Sequence, residues 1–271
     1  MKNHLYKKTA MAALVASSAL LLQACGGGGS DGGNSGPSAG TPESSATNPA
    51  PTDTASSVAA FNPGAAPRFQ LINNKFGISS GLGKFTQQKD GAMTDLNGST
   101  LTGQAKVEDI RGDNSFALGR WVGGTANTIS GPQTLTGVGR GTYHYVVYNV
   151  LESLPTSGSF QCDGGAFSTP TSDSQTGSAS GNATLSFSDT GAAISGQVNV
   201  MSGSASASAT LNTSGLAAKA YGITGAYDER GSGAKLQVAD AGNGGYAVVG
   251  SYRAVAPDGV DYAGVFRFAC K

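Results

Sequence analysis

The residues able to do acid–base or nucleophilic chemistry are few and scattered. His144 stands between Tyr143 and Tyr145. A general base there needs a nucleophile within hydrogen-bond reach and a carboxylate to orient it, and none is close in sequence. Strand alternation places His144 on the face opposite Tyr143 and Tyr145, which predicts a solvent-facing or hydrogen-bonded histidine rather than a catalytic one. A nucleophile-elbow serine needs Gly-x-Ser-x-Gly ahead of a helix; Gly203-Ser204-Ala205 lacks the second glycine. Paired carboxylates acting across a cleft have little to draw on, since the only glutamates are Glu43, Glu108, Glu152 and Glu229. Glu108-Asp109 and Asp228-Glu229-Arg230-Gly231 are predicted to be solvated turns. The cysteines and two histidines show no zinc-ligand spacing. The chain is read as a non-enzyme with no cofactor and no metal.

The N-terminus explains more. Lys2, Lys7 and Lys8 precede an apolar run of 13 residues, Ala10 to Leu22, followed by small residues. That order describes a secretory signal, and the run falls short of the roughly 20 residues of a membrane-spanning helix. Leu22-Gln23-Ala24-Cys25 resembles the lipobox of bacterial lipoproteins, with Gln at a position more often held by Ser or Thr. The resemblance implies cleavage after residue 24 and acylation of Cys25, an anchor with more than the two membrane signals that stable attachment needs. Gly26 in place of Asp implies the outer membrane.

Removing the leader leaves 14 basic against 17 acidic residues, a formal charge of −3. This excludes the basic footprint of a nucleic-acid binder. With Cys25 acylated, Cys162 and Cys270 remain, and outside the cytoplasm such a pair forms a disulfide; two free thiols are the alternative. From 25 to 67 the chain is Gly, Ser, Ala, Thr and Pro, too poor in large apolar groups to offset the entropy of ordering it. It is predicted to be a disordered tether.

Residues 68–271 form the folded part. Glycine, 42 of the 271 residues, punctuates short apolar–polar alternations. The clearest is a hairpin: Ala183, Leu185 and Phe187 share one face, Asp189-Thr190-Gly191 turns, and Ile194, Val198 and Val200 return on the same face. Similar runs occur at 69–76, 101–107, 117–122, 143–150, 205–211, 221–227, 235–239, 246–254 and 260–268. They predict an all-β antiparallel meander closed into a barrel of eight to ten strands, with a β-sandwich as the alternative.

Two patterns carry a further resemblance: the CGGGGSDGG run at Cys25, and the strand Tyr262-Ala263-Gly264-Val265-Phe266 with its Gly-x-Phe. In these the chain resembles surface lipoproteins with a C-terminal eight-stranded barrel, the group of transferrin-binding protein B and of the heparin-binding antigen and factor H-binding lipoproteins. It departs from the transferrin binders in having one lobe, and no ligand-contact residue carries over. Gly119-Arg120-Trp121 has the Gly-x-Trp spacing that plugs the base of lipocalin-type barrels, though later in the domain. In a barrel Trp121 would point in and Arg120 out; a core tryptophan of any β domain is the plainer reading. Tyr252, Tyr262 and Phe266, with Trp121, are candidates to line the interior or a ligand cavity, or else to pack as core. Arg111-Gly112-Asp113, the tripeptide that engages integrins in some adhesins, is predicted in a loop, where Gly-Asp is also ordinary turn chemistry.

The expectation is an outer-membrane lipoprotein, surface-displayed and monomeric, whose barrel binds an unidentified host or environmental protein. The alternatives are a periplasm-facing structural envelope lipoprotein and a calycin-like carrier of a small apolar ligand.

Overall fold

A computed structural model describes residues 58–228 and 231–271. The leader, Cys25 and most of the expected tether lie outside these residues, as do Glu229 and Arg230. Regular structure among the described residues is almost wholly β. The strands are β1 Pro67–Ile72, β2 Gly77–Gly81, β3 Phe85–Gln87, β4 Met93–Leu96, β5 Ser99–Asp113, β6 Phe116–Thr128, β7 Gly131–Thr134, β8 Tyr143–Val150, β9 Gly158–Gln161, β10 Ala166–Phe167, β11 Ser178–Ser188, β12 Gly191–Ser202, β13 Ala205–Thr210, β14 Thr213–Leu216, β15 Gly222–Gly225, β16 Gly233–Gly242, β17 Gly245–Val255 and β18 Asp261–Cys270.

Every pairing is antiparallel. The larger sheet runs β10-β18-β17-β16-β8-β6-β5-β4-β3, with β1, β2, β7 and β15 attached at its sides; the smaller runs β13-β12-β11-β9, with β14 on β12. The all-β antiparallel class holds, but the strands, eighteen among the described residues, outnumber the eight to ten expected. The pairings do not close into a ring among the described residues. The larger sheet branches at β8, whose residues 144–149 pair with β1 while Asn149 and Val150 pair with β16.

That branching buries both faces of the central strands, and the apolar side chains sort into three cores. One packs Leu185, Ile194 and Val198 of the smaller sheet with Leu236, Val248, Tyr252, Phe266 and Phe268. A second gathers Phe69, Leu71, Met93, Leu96, Trp121, Tyr143 and Tyr145. The third lies on the other faces of the same strands, with Leu118, Val146 and Tyr148 near Val249, Ala263 and Val265. Strands buried on both sides read as near-continuous apolar runs, as in the YHYVVYNV of β8. The hairpin read from alternation forms as β11–β12, with Ser188 paired to Gly191.

The ordered domain begins earlier than residue 68. Phe61, in a stretch of Ala, Pro and Gly, is buried in the second core, and its N–H donates to Gln87 Oε1 at 2.8 Å. Asn149 adds two hydrogen bonds to the same segment, accepting the Gly64 N–H and donating to the Asn62 carbonyl.

Candidate functional site

His144 is fully buried. Its Nδ1 lies 2.8 Å from Ser168 Oγ and its Nε2 2.9 Å from Thr171 Oγ1. Both hydroxyls belong to the connection after β10, which runs beside β18: Ser168 Oγ accepts the Val265 N–H at 3.0 Å, and Thr171 exchanges backbone hydrogen bonds with Ala263. Burial, reinforced by the nearby Arg120 charge and opposed by Asp109, lowers the imidazole pKa to about 3. The ring is therefore neutral at physiological pH, both of its nitrogens are occupied, and Ser168 and Thr171 are as buried as it is. The serine beside this histidine ties β8 to the segment that runs along β18.

Arg120, directly opposite His144 across β6 and β8, corrects a second expectation. Trp121 does point inward, but Arg120 is only 4% exposed instead of facing solvent. Its Nε donates to Asp109 at 2.8 Å, its Nη2 to Glu108 at 2.8 Å and its Nη1 to the Gly137 carbonyl at 3.1 Å. Glu108 and Asp109 thus lie within β5 and not in a solvated turn. They sit at a bulge where the register with β6 shifts, and Asp109 takes φ 57°, a conformation aspartate tolerates better than most residues. Asp109 also accepts the Thr169 N–H at 2.7 Å and its hydroxyl at 2.8 Å. Burial raises this carboxyl, but Arg120 and the Thr169 hydrogen bonds outweigh it and hold the pKa below the usual value. Each buried charge is paired and hydrogen-bonded, as burial demands.

The Arg111-Gly112-Asp113 tripeptide is likewise strand and not loop. Arg111 pairs with Leu118 and Asp113 with Phe116, and Asp113 Oδ1 accepts the Ser115 N–H at 2.7 Å and closes the β5–β6 turn. The tripeptide is thus the end of a paired strand and not a loop of its own.

Trp121, Tyr252, Tyr262 and Phe266 are all buried. Trp121 belongs to one core and the other three to another, so they form no single lining. Trp121 Nε1 donates to the Met93 carbonyl at 2.7 Å, and Tyr262 Oη accepts from Gln175 at 2.8 Å. Cys162 and Cys270 lie at disulfide distance, Sγ–Sγ 2.06 Å, and tie the end of β9 to the end of β18. Among the described residues no group of three or more His, Cys, Asp or Glu side chains is arranged to hold a metal ion.

The concave sites lie at the surface instead. One is a cleft of about 210 Å³ at the β1–β2 turn, lined by Lys75, Lys235 and Arg253. Another, of about 640 Å³, borders the β16–β17 turn, with Arg267, Tyr246 and Phe160 in its wall. Ser168 and Thr169 left no signal in the sequence, because the partners His144 and Asp109 lie 24 and 60 positions away. No protein-family model matches the chain, and no curated protein is similar to it.

Proposed function

We propose that this chain is a lipid-anchored outer-membrane protein, displayed at the cell surface as a monomer, whose β domain acts by binding a partner and not by bond chemistry. The observation that carries this reading is His144, the only histidine after Cys25, locked between Ser168 and Thr171 in the folded domain. The side chain best suited to proton transfer near neutral pH has a structural task. The aromatic packing of Trp121, Tyr252, Tyr262 and Phe266 favours an outer surface over an interior cavity as the binding site. The core shared by β11–β13 and β16–β18, joined at one side by Cys162 and Cys270, supports a barrel-like enclosure of the C-terminal half. The membrane attachment rests on the leader and on Leu22-Gln23-Ala24-Cys25.

The test is metabolic labelling with an alkyne fatty acid, followed by protease treatment of intact cells. Wild type should take up the label, Cys25→Ser should not, and external protease should remove the domain. Equal labelling of both chains, or a domain that survives protease on intact cells but not on lysed ones, overturns the reading.

A further inference from the structure

The small cleft at the β1–β2 turn concentrates positive charge in a chain with as many acidic as basic residues. Its walls come from that turn, from Tyr227 and Asp228, and from Lys235 of β16 and Arg253 of β17. The turn is rigid: Asn73 Oδ1 accepts the N–H groups of Lys75 and Phe76 at 2.8 and 2.7 Å, and Asn73 N–H donates to the Phe76 carbonyl at 2.8 Å. It holds Lys75 at the rim. Lys235 stands with its Nζ 4.7 Å from the centre of the Tyr221 ring. Lys84, Lys106 and Lys219 each have a carboxylate partner, whereas Lys75 and Lys235 make no ion pair with any described residue. Arg253 is paired with Asp261 and donates to the Asn74 carbonyl at 3.4 Å. Asn74, 2% exposed, leaves its Oδ1 without a donor among the described residues.

We propose that this cleft binds a hydroxylated carboxylate the size of one sugar ring, the class of the sugar acids. The lining holds three cations and one carboxylate, Asp228, which favours an anionic occupant. With Arg253 held by Asp261, the lysines are left to meet the carboxylate as point charges. Asp228 and the Asn74 amide supply acceptors for hydroxyl donors, and Phe76 and Tyr227 add apolar surface to the lining. The volume is below the roughly 300–1,000 Å³ of sites for drug-sized ligands, which restricts the occupant to a single ring. The inference deepens the binding-module reading and rests on it only in placing the ligand at the outer surface.

Isothermal titration of the full chain in detergent micelles with sodium D-glucuronate, at fixed ionic strength, tests it. Saturable binding is expected, with D-glucose at least roughly tenfold weaker. Lys75→Gln and Lys235→Gln should each weaken glucuronate by about fivefold or more, while Lys89→Gln, on an exposed lysine outside the cleft, should leave it unchanged. Lys75 is exposed, so its variant keeps the fold. Absence of saturable glucuronate binding overturns the proposal. So does glucose binding equally well, sodium sulfate binding as tightly as glucuronate, or insensitivity to both lysine variants. None of these outcomes touches the Cys25 labelling result, so the two readings fail separately.

Discussion

The N-terminal and C-terminal cores each lay a tyrosine across a glycine of the neighbouring strand. Tyr145 of β8 is paired with Gly119 of β6, and Tyr252 of β17 with Gly264 of β18. A Cβ at Gly119 would fall 2.3 Å from Tyr145 Oη, and one at Gly264 2.5 Å from Tyr252 Oη. Both glycines precede an aromatic by two positions, Trp121 in one case and Phe266 in the other. The devices diverge at the hydroxyl. Tyr145 Oη accepts the Met93 N–H at 3.1 Å while Trp121 Nε1 donates to the Met93 carbonyl at 2.7 Å, so two rings clamp one residue of β4 through its two flanking peptides. Tyr252 Oη has no partner among the described residues, and its ring packs beside Phe266 at 6.3 Å. The N-terminal core is fastened by directed polar contacts; the C-terminal core relies on ring packing and the Cys162–Cys270 link.

Removing that link is the largest expected insult to the C-terminal half. The cysteines are 108 positions apart, and loop-closure entropy for such a span stabilises the fold by about 4–5 kcal/mol. Cys162→Ser with Cys270→Ser should lower the urea midpoint accordingly. Trp121, the only tryptophan, reports on the N-terminal core alone. Its fluorescence transition should still coincide with the far-ultraviolet circular dichroism transition, because β8 and the third core are shared. Separate transitions would mean that the halves unfold independently.

Acid should probe the opposite side of the comparison. His144 in the unfolded chain takes a proton near pH 6.5, whereas the folded site resists protonation down to about pH 3. The unfolded state therefore binds more protons within that window, and stability falls as pH drops through it, by about 3 kcal/mol at pH 4.5. Asp109, depressed in the fold, adds a loss of the same sign at lower pH. Denaturation of His144→Gln should show a markedly flatter profile between pH 6.5 and 4.5. An unchanged slope would remove His144 as its source.

The glycines come next. Gly119→Ala forces Tyr145 away from Met93, at an expected cost of about 3 kcal/mol, against about 1–2 for Gly264→Ala, where no hydrogen bond is lost. Thermal melts of the two variants decide the order; a larger loss at Gly264 would show that ring packing outweighs the clamp.

Both motifs are visible in the sequence as Gly-x-Trp and Gly-x-Phe, but the tyrosine that occupies the space beside each glycine is not. Tyr145 reaches Gly119 only once β8 pairs with β6, a register set by packing. The long strands β6, β8, β11, β12, β17 and β18 are legible because alternation or continuous apolar runs mark them. Strands β3, β4, β7, β9, β10 and β14 are two to four residues long and carry too few side chains for a period to show. In β5 the polar run Glu108 to Asp113 imitates turn chemistry, because its bulges and the burial of Arg120 are decided by the partner strand. The strand that carries His144 is legible in the sequence, but its partners Ser168 and Thr171 come from a connection with no pattern of its own.

The smallest effect is the most discriminating. Tyr145→Phe leaves the Met93 N–H buried without an acceptor and should cost about 1–2 kcal/mol. Tyr252→Phe removes a buried hydroxyl that makes no hydrogen bond with any described residue, so the folded state loses no contact while the desolvation penalty disappears. The expected result is no loss, or a gain of up to about 1 kcal/mol, read from matched urea titrations of the two variants. A loss at Tyr252 comparable to that at Tyr145 would mean that this hydroxyl is hydrogen-bonded in solution, through a buried water, and that the two glycine–tyrosine pairs are polar clamps of the same kind.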